Sequence, residues 1–94
     1  MLRSFSLLVE NKPGALMRVA GVMARTGSNI DSLTVSPTSD PAVSRMAITA
    51  EIEEHLQARI VTLMAKEIHV LVVRDITEQE VSVMHFSEYA MASA

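Results

Sequence analysis

The sequence predicts an α+β domain of the ferredoxin-like βαββαβ type, a sandwich in which a four-stranded antiparallel sheet carries two helices on one face. Three segments carry apolar residues at about every second position, a fourth is a short apolar run, and two others repeat apolar residues at helical spacing. Their order along the chain is strand, helix, strand, strand, helix, strand. Because crossover connections are right-handed, this order places both helices on the same side of the sheet.

The first strand is predicted at residues 2–9, where Phe5, Leu7 and Val9 recur at period two. A turn at residues 11–14 follows, and residues 14–25 form the first predicted helix. Gly21 inside this helix predicts close backbone packing, and Gly27 is typical of a left-handed helix stop. The predicted buried stripe of the helix consists of Leu16, Val19, Ala20 and Met23.

The remaining elements are predicted in the same way. Strands at residues 29–36 and 43–50 form an antiparallel hairpin across the turn at residues 37–41, and Ser32, Thr34 and Ser36 share one face of the first of them. A helix is predicted at residues 51–66 and a last strand at residues 69–74. We therefore expect one domain at residues 1–75. Residues 76–94 should form a tail that is partly disordered or pairs with a partner, with a short strand at residues 81–84.

Composition narrows the class of protein. The chain has 94 residues, of which 49% are hydrophobic, and its mean hydropathy is +0.28, which favours association into a homodimer or higher oligomer. A net charge of −3 and three aromatic residues argue against a nucleic-acid-binding module. The sequence has no cysteine, no membrane-length apolar segment and no signal peptide pattern. We expect a cytoplasmic protein that neither binds nucleic acid nor inserts into a membrane.

No catalytic constellation is evident in the sequence. His55, His69 and His85 belong to three different segments, and no cysteine accompanies them, so a metal site is not expected. The serines lack a nucleophile-elbow context. The sequence therefore predicts no enzyme and no cofactor bound by this chain.

A binding site is better supported, at the turn after the first strand. The first N–H groups of the predicted helix lack partners within it and carry the positive end of its dipole, so they can receive a carboxylate. Gly14 allows a ligand to approach the backbone, and Asn11 supplies an amide. Asn29, where the chain re-enters the sheet, can join them if two chains form one groove. Asparagine beside glycine is also common turn chemistry, so spacing alone leaves both interpretations open.

Three segments resemble a known family. They are ENKPGALMRV (residues 10–19), SNIDSLTVSPTSDPAVSRM (residues 28–46) and HVLVV (residues 69–73). Together they look like the regulatory small subunit of acetohydroxyacid synthase (acetolactate synthase), whose N-terminal part is an ACT domain. The resemblance covers about residues 2–75, and an ACT domain has the ferredoxin-like order described above.

The resemblance implies a non-catalytic subunit that binds and activates the large catalytic subunit and confers feedback inhibition by a branched-chain amino acid, usually valine. It places the effector at an interface between two ACT domains. Thiamine diphosphate, FAD and magnesium would belong to the catalytic partner. Many family members continue into a second small domain, which is not evident here. The matching effector-binding residues are Asn11, Gly14, Ala15, Leu16, Asn29 and Ile30.

Two alternatives remain open at the level of sequence. The first is a free-standing ACT-type sensor of another amino acid. The second is a ligand-free dimerisation module for another enzyme, which the high apolar fraction would also fit.

Overall fold

The computed structural model describes residues 1–77, and within them the predicted order of elements is confirmed. The predicted strand at residues 81–84 and the rest of the tail after Thr77 lie outside the described residues. A 3₁₀ turn at Glu54–Leu56 precedes the second helix. The elements are β1 (Leu2–Glu10), α1 (Ala15–Arg25), β2 (Asn29–Pro37), β3 (Val43–Glu51), α2 (Gln57–Ala65) and β4 (Val70–Asp75).

The four strands form one antiparallel sheet in the order β2-β3-β1-β4. The predicted hairpin of β2 with β3 is confirmed. Because β3 lies between β1 and β2 and runs antiparallel to both, β1 and β2 run in the same direction. The edge strands β2 and β4 therefore each have one side without a strand partner within residues 1–77.

The core lies between the sheet and the two helices. In β1 the buried hydrophobic residues are Phe5, Leu7 and Val9, as the period-two pattern predicted. Helix residues close the core over them, and this burial is the main source of the domain's stability. The other core residues include Val19, Val22 and Met23 of α1, Met46, Ile48 and Ala50 of β3, and Ile60 and Met64 of α2. This is the predicted ferredoxin-like sandwich.

The predicted buried stripe of α1 is only half correct. Val19 and Met23 are buried, but Leu16 is 43% exposed and Ala20 is half-buried. The core instead takes Ala15 and Val22. Because α1 carries apolar residues on nearly every side, its hydrophobic pattern does not fix which side faces the sheet, and the packing decides.

The start of the second helix was also predicted too early. Residues 51–56 were assigned to the helix, but β3 continues through Glu51, which pairs with Leu2 on one side and Asn29 on the other. The chain then passes through the 3₁₀ turn, and α2 begins at Gln57. Pairing of Glu51 with strands on both sides thus keeps it in β3, although the apolar residues that follow it have helical spacing.

The two glycines of interest around α1 differ in role. Gly27 has φ 72°, the left-handed conformation predicted for a helix stop. Gly21 does not allow close backbone packing, contrary to the prediction: a Cβ there would meet only Arg25 Nη1, at 3.5 Å. The Arg25 side chain lies back over Gly21, and its guanidinium pairs with Glu67 at 3.1 Å.

A polar cluster holds the end of the sheet where β1 begins and β4 ends. The Asp75 carboxylate accepts hydrogen bonds from the Arg3 guanidinium and from the Gln57 side chain at the start of α2. Burial raises the pKa of Asp75, but hydrogen bonds from the Thr77 hydroxyl and backbone N–H, with the charge and hydrogen bond of Arg3, outweigh burial and lower the pKa overall. The cluster joins β1, β4 and α2.

Candidate functional site

The turn between β1 and α1 is fixed to the tip of the β2–β3 hairpin. The backbone N–H of Asn11 donates to the Ala42 carbonyl at 2.8 Å, and its Nδ2 donates to the Pro41 carbonyl at 3.3 Å. The turn also closes on itself, since the Lys12 N–H donates to the Glu10 carbonyl at 2.8 Å. Asn11 is exposed and therefore available to a ligand or a second chain.

Gly14 is the N-cap of α1 and adopts φ 88°, a left-handed conformation that favours glycine. A Cβ added there would meet no atom within 4 Å, so the space beside Gly14 is open. No side chain within residues 1–77 caps the helix, and its first turn has no acidic residue. The positive end of the helix dipole is consequently not neutralised by a capping side chain or a first-turn acid among residues 1–77.

The backbone donors of this turn are not equivalent. The Ala15 N–H donates to the Lys12 carbonyl at 3.2 Å, and the Ala15 side chain is buried in the core. The Arg18 N–H donates to the Gly14 carbonyl at 2.9 Å and begins the helical pattern. Within residues 1–77, the N–H groups of Leu16 and Met17 have no backbone acceptor. Both residues are exposed, and the exposed Gly14 also has an N–H without a described acceptor, so the N–H groups of Gly14, Leu16 and Met17 are the candidate donors to an anion.

Asn29 and Ile30 lie at the opposite end of the sheet. Asn29 pairs with Glu51, which pairs with Leu2 at the beginning of β1, whereas Asn11 follows the last residue of β1. Eight residues of extended chain separate these levels, a distance of about 26 Å. The two asparagines therefore do not meet within one chain. Asn29 is exposed, and Ile30 is half-buried against the core.

A cavity of about 290 Å³ lies beside Asn29. Its walls come from the turn after α1 and from the segment after β3. The Glu51 carboxylate and the Ile52 carbonyl accept hydrogen bonds from the Met1 ammonium, at 2.6 and 2.9 Å. The sequence pattern does not predict this cavity, because it assigns residues 51–66 to one helix and so places Glu51 and Glu53 at a helix start. The lining residues are Met1, Thr26, Gly27, Ser28, Asn29, Glu51, Ile52, Glu53 and Leu56.

The described histidines are far apart and pair with single carboxylates. His69 Nδ1 lies 3.3 Å from Glu10 Oε2, and His55 Nδ1 lies 3.4 Å from Glu53 Oε2. In the part of the chain that the structure describes, no three metal-ligating side chains come together. No helix among residues 1–77 has the length and apolar character that a membrane crossing requires.

Comparison with known proteins agrees with this architecture. Residues 5–72 match the family described as the AHAS small subunit-like ACT domain. The chain is 42% identical over 81 residues to a probable acetolactate synthase small subunit of Archaeoglobus fulgidus, covering 86% of this chain and 51% of that protein. It is 44% identical over 72 residues to the acetolactate synthase isozyme 3 small subunit of Escherichia coli, covering 77% and 42%.

Solved structures agree with the sequence relatives. The crystal structure of the acetolactate synthase small subunit from Thermotoga maritima superposes with a TM-score of 0.71 at 33% identity, over 80% of this chain and 47% of that one. The ACT domain of a GTP pyrophosphokinase from Chlorobium tepidum shares the fold, with a TM-score of 0.67 at 14% identity over 80% of this chain and 96% of that one. The chain spans about half the length of the curated relatives it matches. It belongs to the family of ACT domains found in acetolactate synthase small subunits.

Proposed function

We propose that this chain is a regulatory subunit of acetolactate synthase, acting in branched-chain amino acid biosynthesis in the cytoplasm. It would activate a catalytic large subunit and make it sensitive to valine. The names of its relatives and the matching family support this role. Thiamine diphosphate, FAD and magnesium would be held by the large subunit. The ACT domain would comprise residues 1–75.

The proposal requires a homodimer joined through β2. This edge strand has no strand partner on its outer side within residues 1–77, so it offers backbone groups to a second copy. Within this strand Val35 is 50% exposed, and Leu16 of α1 is 43% exposed. Antiparallel pairing of two β2 strands would bury both residues and continue the sheet to eight strands, with all four helices on one side.

This arrangement would unite the two halves of the candidate site. Because the paired β2 strands run in opposite directions, the start of one lies at the level of the end of the other. Asn29 of the partner subunit would thus reach the end of the sheet that carries Asn11 and Gly14. The separation of the two groups of residues within one chain, by about 26 Å along the strands, is what calls for the second copy.

The chemistry of this composite site fits a small amino acid. The N–H groups of Leu16 and Met17, at the positive end of α1, would bind the carboxylate. Asn11 and Asn29 of the partner subunit would bind the ammonium through their amide oxygens. The Leu16 side chain and Ile30 of the partner subunit would contact a branched aliphatic side chain. The uncapped start of α1, next to the open space at Gly14, is the observation that carries this proposal.

Binding alone would not regulate the enzyme. Valine shifts an equilibrium only if it binds two arrangements of the subunits with different affinity. A ligand that bridges two copies meets this condition, because its affinity depends on how the two ACT domains are placed. The same valine would then change the affinity of the dimer for the large subunit, and the large subunit would change the affinity for valine by the same factor.

Two variants test the dimer and the site together. Val35→Asp should lower both dimerisation and valine binding at least about tenfold, because it places a charge in the proposed β2 interface. Leu71→Asp is the matched control, since Leu71 is 51% exposed on the other edge strand, and it should leave both unchanged. Sedimentation measures the dimer, and calorimetry measures valine binding. A Val35→Asp protein that dimerises and binds valine normally would refute the arrangement.

The regulatory role itself is tested with the large subunit. Synthase activity should rise when this chain is added and fall again as valine is titrated into the mixture. Calorimetry with valine, leucine and isoleucine on the folded dimer identifies the effector. If the chain changes neither activity nor its response to valine, the proposed function is wrong.

A further inference from the structure

Among the proposed effector-binding residues, only Asn29, which lies opposite Glu51, belongs to the sheet face opposite the helices, here the open face. Side chains directly opposite each other on paired strands share a face, so the ladder assigns its members. One row across the sheet contains Val72, Leu8 and Arg45, and the next contains Arg74, Ser6 and Ala47. Arg45, from the SRM segment that resembles the family, is exposed on this face and away from the effector site.

The charges at the centre of the open face have one sign. Arg45 and Arg74 are exposed and lie about 12 Å apart across the sheet. Within residues 1–77, neither forms an ion pair. The carboxylates of Glu10 and Glu51 lie only at the two ends of the face, and each already has a partner. The centre of the face therefore presents two cations that a carboxylate-bearing surface would complement.

The shape of the face favours a broad, close contact. Ser6 and Ala47 are short side chains, so the row that contains Arg74 is low. Leu8 is half-buried and Val72 is 39% exposed, which gives this surface a small apolar centre. An apolar centre with a charged surround is the usual anatomy of a protein interface.

A second copy of this chain complements the face less well than a surface of opposite charge. Two-fold contact through the open face would place four arginines in one interface, with Glu10 and Glu51 only at its ends. Like charges placed opposite each other at an interface cost several kcal/mol. The occupant must instead carry the opposite charge.

The area of the face also suits a partner of the dimer. Four strands about 4.8 Å apart, with about eight residues each on average, give a face of roughly 500 Å². This is less than the roughly 800 Å² that each side of a standard interface buries. In the proposed dimer the two open faces are continuous and lie on the same side, so together they reach about twice that area and display four arginines.

We propose that the open face is the surface through which this chain binds the catalytic large subunit, with Arg45 and Arg74 pairing with an acidic surface of that subunit. This inference rests on the proposed function. The helix-bearing side and the β2 edge, with Asn29 at one end of the open face, would then hold the effector, and the centre of the open face would hold the enzyme. A movement between the two ACT domains would then change the large-subunit surface directly.

The test is the affinity of the dimer for immobilised large subunit at low and high salt. The double variant Arg45→Glu, Arg74→Glu should bind at least tenfold more weakly than the wild type, with a weaker response to salt. The control is the double variant Arg18→Glu, Ala24→Glu, which places two acids at exposed positions of α1 instead of the open face. It should bind within twofold of wild type. Sedimentation should show an intact dimer for both variants.

The outcomes separate the inference from the proposed function. If the wild type does not bind the large subunit, the proposed function is wrong, and this inference is wrong with it. If the wild type binds and the Arg45, Arg74 variant binds equally well, only the docking surface is refuted. Loss of the homodimer in that variant would also refute it, because the face would then join two copies. If the wild type binds RNA and the Arg45, Arg74 variant does not, the open face binds nucleic acid, and the proposed docking surface is refuted as well.

Discussion

Substitution of Gly14 tests the carboxylate subsite most directly. We expect Gly14→Asp to abolish valine binding, because its side-chain carboxylate would lie where the ligand's carboxylate is proposed to bind. Gly14 has φ 88°, and a non-glycine residue in a left-handed conformation costs about 1–2 kcal/mol. The substitution therefore needs a control with the same backbone strain. Gly14→Asn provides this control, since the asparagine and aspartate side chains have nearly the same shape and both tolerate the left-handed conformation.

The difference between the two variants isolates the charge. Two like charges about 4 Å apart repel by about 4 kcal/mol at an effective dielectric constant of ~20. Solvent screening at this exposed turn reduces that value, so we expect Gly14→Asp to bind valine at least tenfold more weakly than Gly14→Asn, or about 1.4 kcal/mol. Calorimetry measures the affinities, and thermal unfolding verifies that both variants fold. Equal affinities in the two variants would show that no ligand carboxylate lies near Gly14.

Two further predictions concern stability and use denaturant unfolding. Gly21→Ala should raise the free energy of unfolding by about 0.5–1 kcal/mol, because Gly21 is in a helix interior and a Cβ there has only an ordinary contact with Arg25. Gly27→Ala should lower the free energy of unfolding, since Gly27 has a φ of 72°. A lower free energy of unfolding in both Gly21→Ala and Gly27→Ala would contradict the explanation given for Gly21. The Asp75 carboxylate has a pKa below its ordinary value of 3.8, so its contribution to stability should be complete above about pH 4 and be lost as the pH falls through the folded-state pKa. Asp75→Asn should flatten this part of the pH profile, and an unchanged acid slope would contradict the assignment.

The order of the elements could be predicted from sequence because β1, β3 and the two helices differ clearly in the period of their apolar residues. The side of α1 that faces the core could not. Leu16 and Ala20 fit a helical stripe as well as Ala15 and Val22 do, and only packing on the sheet distinguishes them. The start of α2 was misplaced for a similar reason, because strand pairing of Glu51 depends on residues distant in sequence.

The candidate site shows the same limit. The glycine at the start of α1 and the turn before it could be recognised from local chemistry, and the structure places Gly14 in the left-handed conformation that requires glycine. The relation between Asn11 and Asn29 could not be recognised, because it depends on β3 lying between β1 and β2. Sequence also could not distinguish the Ala15 N–H, which the turn uses, from that of Met17, which remains accessible.

Helix α1 has a mechanical consequence for the proposed dimer. The helix begins at the proposed carboxylate subsite of one pocket and is about 16 Å long. The chain after it leads to Asn29, which would belong to the other pocket. A ligand that displaces the first turn of α1 in one pocket would therefore also displace the Asn29 amide in the other pocket. The two pockets should for this reason fill with unequal affinities, so that a dimer with one valine behaves differently from a dimer with none or two.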